Sequence, residues 1–248
     1  MHYGLIAIAT LTACTFSPAS SVDAAITHPP DGTNPVIDAA ADATAAAPAI
    51  VQQTTASAPN TNAPLSATLS ASPINGDLLV MVGAAEHGGL ATVSGGGVAT
   101  WTRATRSLSN TNIEIWSGVS DGSSATVTIT FPAYTLPIWM AVSEWSGMAS
   151  TNVLDCAHST SGNSSPAAAG AIATTAHDVL IFAVTDNTPN AFGAPTQGLW
   201  TAMTGVSAPP LVQAAWYREV STVGSYNPTV TETAHSWESA TAAFRVAP

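Results

Sequence analysis

Lysine is missing from this chain altogether, and its strong bases are confined to Arg103, Arg106, Arg218 and Arg245. Binding to nucleic acid needs clustered cations to neutralise phosphates, so that partner class is excluded. Charged residues make up 8% of the 248, against roughly 25% in soluble domains, so the surface has to be built from hydroxyl and amide groups. The net charge of −11 is repelled by anionic headgroups, which excludes a polybasic membrane contact and leaves only hydrophobic or covalent attachment. Cysteine is almost absent. With Cys14 and Cys156 alone there is no Cys-x-x-Cys pair and no Cys/His ligand spacing, so neither a structural metal nor a cofactor is expected. Long apolar runs are missing too: Leu5 to Ala13 is too short to cross a bilayer.

That short run has the place and length of a signal-peptide core, and it ends in Leu11-Thr12-Ala13-Cys14. On these residues the N-terminus resembles bacterial lipoprotein precursors. The resemblance implies a signal peptide over 1–13, lipidation of Cys14, and cleavage just before it. Met1-His2-Tyr3-Gly4 departs from the pattern by carrying no Lys or Arg. By the same resemblance the neutral Thr15 favours an outer-membrane or cell-surface location. A membrane partner is then reached through the lipid only, at about 0.8 kcal/mol for each buried methylene. With Cys14 lipidated, Cys156 is the one thiol left, and a small buried filler is its expected role.

From Cys14 to about Pro64 the chain is Ala, Thr, Pro, Ser and Asp with few large apolar side chains. Such a segment buries too little surface to offset its ordering entropy, and a disordered tether is expected over 14–64. Beyond it, short β-branched and aromatic runs alternate with Gly, Pro, Asn and Ser, and no helical period is present. Thr126 to Phe131 alternates strictly, placing Val127, Ile129 and Phe131 on one face. Leu78 to Val82 and Val179 to Val184 are apolar throughout, as strands covered on both faces are.

The pattern is also written twice. Asp77-Leu78-Leu79-Val80, Trp101-Thr102, Trp116 and Val127-Thr128 return about a hundred residues later as Asp178-Val179-Leu180-Ile181, Trp200-Thr201, Trp216 and Val230-Thr231, and Trp145 returns as Phe244. The fold class expected over 65–248 is all-β: a single two-sheet antiparallel β-sandwich, jelly-roll-like, built from repeat halves at about 65–150 and 170–248. Through Gly76-Asp77-Leu78-Leu79, Trp101-Thr102, Trp116 and Thr126-Val127-Thr128 this region resembles a loose group of secreted and phage-associated β-sandwich modules. That resemblance is one of packing and implies no defined catalytic activity.

Candidate chemistry is sparse. Gly118-Val119-Ser120-Asp121-Gly122 matches a hydrolase elbow in letters, but a strand follows where that elbow needs a helix. Asp186-Asn187-Thr188-Pro189-Asn190 offers oxygen ligands without the spaced acids of a calcium loop. No catalytic set is assigned. The candidate ligand-binding residues are Trp139 and Trp145, which share one strand face, with Glu144 beside them. If that face looks outward it is an aromatic platform for sugar rings; if inward, it is core. The expected function is a membrane-anchored, non-catalytic surface module binding a polysaccharide or a surface protein. A glycan hydrolase and a purely structural envelope lipoprotein are the alternatives.

Overall fold

A computed structural model describes residues 47–61, 63–86, 89–109, 111–132, 136–186, 192–203, 212–233 and 235–248. The expected signal peptide, the expected lipidation site Cys14 and the part of the expected tether up to residue 46 lie outside the described residues, as does the Asn187 to Asn190 segment. Among those described the chain is all-β, with seventeen strands and no helix. In chain order they are β1 (Ala49–Thr61), β2 (Leu65–Thr68), β3 (Leu78–Glu86), β4 (Thr92–Gly95), β5 (Thr102–Leu108), β6 (Thr111–Val119), β7 (Thr126–Thr130) and β8 (Leu136–Ser146). They continue as β9 (Leu154–Gly162), β10 (Ala167–Ala168), β11 (Ile172–Thr174), β12 (Asp178–Asp186), β13 (Thr201–Ala202), β14 (Val212–Val220), β15 (Gly224–Tyr226), β16 (Thr229–Val230) and β17 (Trp237–Arg245).

Two five-stranded antiparallel sheets dominate, in the orders β1-β8-β3-β6-β5 and β13-β14-β12-β17-β9. Strand alternation sorts their side chains. Leu78, Val80, Val82 and Ala84 of β3 join Val179, Ile181 and Ala183 of β12 and Ala240, Ala242 and Phe244 of β17 in one cluster, so the two sheets share a core. The opposite faces are apolar as well. Leu79 and Met81 pack with Val127, Ile129 and Phe131 under the three-stranded sheet β2-β7-β4. Phe182, Val184 and Trp216 pack with Ala167 and Val230 of the ladder β10-β16, while Leu180 and Cys156 pack with Ile172 of the ladder β11-β15. The sequence predicts two sheets, but the strands form a thicker stack. A sheet apolar on both faces needs a cover on each, and the smaller sheets provide the second one.

Of the tether expected over 14–64, the stretch Ala49–Thr61 is instead the strand β1. β1 pairs antiparallel with β8 from Ala49↔Ser146 to Thr61↔Leu136, with irregular register at Ile50/Gln52 and Ala58/Thr61. Pro59 falls in the second irregularity, where an edge strand tolerates a missing donor. The strand needs few apolar side chains, because a backbone ladder on one side and polar contacts hold it. Gln52 Nε2 donates to Glu144 Oε2 at 2.5 Å and to Ala71 O at 3.0 Å, and Gln52 Oε1 accepts from Ser70 Oγ at 2.9 Å.

Removing β1 uncovers the edge of β8, which presents an unpaired strand for self-association. A chain begun at Leu65 is expected to melt below one begun at Ala45 and to elute as oligomers in size-exclusion chromatography. Equal melting temperatures and a monomeric profile would show that β1 adds nothing.

Candidate functional site

The proposed aromatic platform is not on the surface. Trp139 and Trp145 do share a strand face, but that face is the inter-sheet core, and each ring is 2% exposed. Trp145 Nε1 donates to Ser143 Oγ at 2.8 Å, and its ring meets Tyr217 edge-on with centroids 5.0 Å apart. Trp139 Nε1 is buried without a partner, beside a 160 Å³ cavity that Met203 and Gln213 also line. Sugar stacking by either ring is thereby overturned: covering both faces of β8 leaves no solvent side for an indole.

Glu144 projects to the opposite face of β8 and is fully buried. Its Oε1 accepts from the Ile74 amide at 2.6 Å and its Oε2 from Gln52. The Asp77 carboxyl lies within hydrogen-bonding reach of it, with Oδ2 sealed from water and lacking a donor. Burial, the bond to Glu144 and the charge of Glu144 together push Asp77 up to about 6. Asp77 itself is half-buried, and it takes up its proton at a higher pH than a free aspartate does. Glu144 thus ties β1 to its sheet. With Gln52, Val51, Ser70, Ser72 and Ile74 it also lines a shallow pocket of 240 Å³.

A second buried acid, which nothing in the sequence singles out from the other acids, organises the β5–β6 edge of the first sheet. Glu114 of β6 is 0% exposed and accepts from Asn112 Nδ2 and Trp116 Nε1, each at 2.9 Å. Arg103 Nη1 and Arg106 Nε stand 3.5 Å away on either side, and the Arg103 guanidinium lies 5.2 Å above the Trp116 ring. Half of the chain's arginines therefore serve one internal carboxylate. Alternation foretells which face Glu114 takes, but nothing local reveals that β5 delivers two cations to it.

The Gly-x-Ser-x-Gly letters form no elbow. Ser120 is 2% exposed and its Oγ donates to Gly96 O at 2.6 Å, while Gly97 and Gly122 take left-handed backbone angles in the neighbouring turns. Asp186 is buried at the end of β12, and no cluster of three metal-ligating side chains exists among the described residues.

The feature best suited to a ligand is a 430 Å³ groove where the shared core meets water. Leu78, Val119, Val153 and Leu154 give it apolar walls, and all four belong to or pack against the inter-sheet cluster. Thr100, Thr102, Ser117 and Asn152 add hydroxyl and amide groups. Its volume and mixed lining suit a small ligand. No ionisable side chain lines it, so it offers contact, dispersion and hydrogen bonds without an acid, a base or a nucleophile of lowered pKa.

Stripping one partner from a buried ion pair leaves the other uncompensated, at a cost of about 3–5 kcal/mol. Glu114→Ala is expected to destabilise the fold by that amount in urea titration, and Arg103→Ala, at a partly exposed position, by less. An Arg103→Ala loss equal to that of Glu114→Ala would contradict the shared neutralisation.

No protein-family model, curated protein or solved structure matches this chain.

Proposed function

We propose that this chain is a lipid-tethered, non-catalytic binding module of the cell surface whose ligand is a neutral, hydroxyl-bearing molecule such as a polysaccharide segment. The uncharged groove carries this reading, because a site with aliphatic walls and Thr, Ser and Asn groups pairs with C–H faces and hydroxyls rather than with ions. A net charge of −11 disfavours anionic ligands in the same sense. The Leu11-Thr12-Ala13-Cys14 box and the Ala/Thr/Pro-rich stretch after it support anchoring by lipid and presentation away from the membrane.

We further read the folded part as an internal duplication of one jelly-roll-like half. The sheet orders support this, since β1-β8-β3-β6-β5 maps onto β9-β17-β12-β14-β13 position by position. The mapping aligns the central strands β3, which Asp77 precedes, and β12, which Asp178 opens, and the closing strands β8 and β17 that carry Trp145 and Phe244.

Thr102 lines the groove from an exposed position on β5. Thr102→Trp fills it and is expected to abolish retention on insoluble glycan with the melting temperature unchanged; a wild-type chain that no glycan column retains overturns the reading. For the anchor, Cys14→Ser is expected to shift the protein from the detergent phase to the aqueous phase in phase partitioning, and an unmoved distribution removes the lipid.

A further inference from the structure

A buried indole needs an acceptor for its N–H, and most tryptophans of this chain find one close by. On β6 and β8 it comes from the residue two places earlier, which alternation puts on the same face: Trp116 donates to Glu114 at 2.9 Å and Trp145 to Ser143 at 2.8 Å. Trp101, Trp200 and Trp237 donate to the main-chain oxygens of Gly95, Thr196 and Ser164 at 3.0, 3.0 and 2.9 Å. Trp139 has no such neighbour. Its same-face flanks on β8 are Pro137 and Ala141, neither of which carries a side-chain acceptor. The residue is 2% exposed, and its Nε1 is buried without a partner in the chain. An unmade hydrogen bond is unfavourable in a packed core, so an orphan of this kind points to a water or a ligand that completes it.

Room for an acceptor lies beside the ring. Trp139, Met203 and Ala215 belong to the inter-sheet core, and all three also line the 160 Å³ cavity. The cavity sits beside the end of the short β13–β14 ladder, where Ala202 closes β13 and Met203 N donates to Ala215 O at 2.8 Å. Gln213 and Trp216 of β14 complete the walls, and Ala202, which is exposed, stands at the rim. No ionisable side chain lines the cavity. An ion entering it would lose its hydration with no charge to replace it, so the site selects uncharged molecules. A cavity of about 150 Å³ accepts a ring of benzene's size, which sets the ligand at about six or seven non-hydrogen atoms. No residue lines both this cavity and the groove at Leu78 and Val119, so the two sites are separate.

We propose that this cavity is a second binding site, for a small uncharged molecule that carries one carbonyl oxygen on an apolar ring or chain, and that the oxygen accepts the Trp139 N–H. The indole fixes the ligand's orientation, because it is the one donor among the tryptophan side chains of the core left without an acceptor. Met203 and the alanines of β13 and β14 supply contact to the apolar body, and the flexible thioether adapts to its outline. This use of Trp139 needs no solvent-facing ring, so it is compatible with the burial that excludes sugar stacking.

Cyclohexanone and methylenecyclohexane differ by C=O against C=CH₂ within nearly one shape, and they test this on the full chain by ¹H–¹⁵N NMR. The Trp139 indole signal is the one that Trp139→Phe deletes. Cyclohexanone is expected to move that signal downfield and saturably, and methylenecyclohexane to leave it nearly in place. Trp139→Phe enlarges the cavity for both probes alike, so it is expected to weaken cyclohexanone about tenfold more than methylenecyclohexane, with affinities read from the remaining indole signals. Ala202→Leu, a change at the exposed rim, is expected to abolish the response to cyclohexanone and keeps the test open if Trp139→Phe fails to fold. A Trp139 signal that cyclohexanone does not shift, as when a resident water alone holds the N–H, overturns the proposal. Equal weakening of the two probes by Trp139→Phe, or a cyclohexanone response that survives Ala202→Leu, overturns it as well.

Discussion

Everything in this structure depends on the dry contact between two five-stranded sheets. Because Leu78, Val80 and Val82 face Val179, Ile181 and Ala183 across one core, the central strands β3 and β12 have no polar side, and each sheet must be covered again on its far face. A buried aliphatic side chain contributes about 1.5–3 kcal/mol, so strands this apolar are stable only inside such a stack. The same contact decides where polar groups end up. Any acid carried on a central or neighbouring strand is trapped, and the chain owns few cations with which to meet it.

Glu114, Asp155 and Asp77 are three answers to that constraint. Glu114 is met by two arginines and two side-chain N–H donors. Asp155, on the edge strand β9, draws on Arg245 and the Thr175 amide, which hold it below its ordinary value against its burial. Asp77 is paired with no cation among the described residues, and burial beside Glu144 pushes it up to about 6. The lysine-free composition that leaves the surface sparsely charged thus also leaves some internal acids without a counter-ion.

Much of the fold was legible in the residues, for a specific reason. Continuous apolar runs marked β3 and β12, and strict alternation put Val127, Ile129 and Phe131 on the face that the structure buries at 0%, 0% and 5%. Matched positions pointed to core packing for Trp101, Trp116, Trp200 and Trp216; Trp116 and Trp216 are buried, while Trp101 and Trp200 are half-buried against the same clusters. The edge strands escaped notice because their hold is in backbone ladders and in single polar residues such as Gln52, and hydropathy does not register those. The placement of Trp139 and Trp145 shows the limit of periodicity. Spacing assigned both rings to one face correctly, but which face meets water depends on the partner sheet, which lies a hundred or so residues away in the chain.

The groove escaped the sequence for a related reason. Its walls come from four separated stretches, at Leu78, Ala99 to Thr102, Ser117 to Val119 and Asn152 to Leu154, and the sequence patterns that touch three of them speak of packing and turns rather than of a ligand. What joins them is the end of the shared core, where apolar residues that pack inward on one side are left open on the other. Two facing sheets close the middle of their shared core, but its ends can close only as far as the connecting segments reach. Here the Asn152 to Leu154 segment that leads into β9 borders the opening without filling it. Every lining residue lies between Leu78 and Val119 or in that segment, so the groove forms where the first sheet meets the chain entering the second.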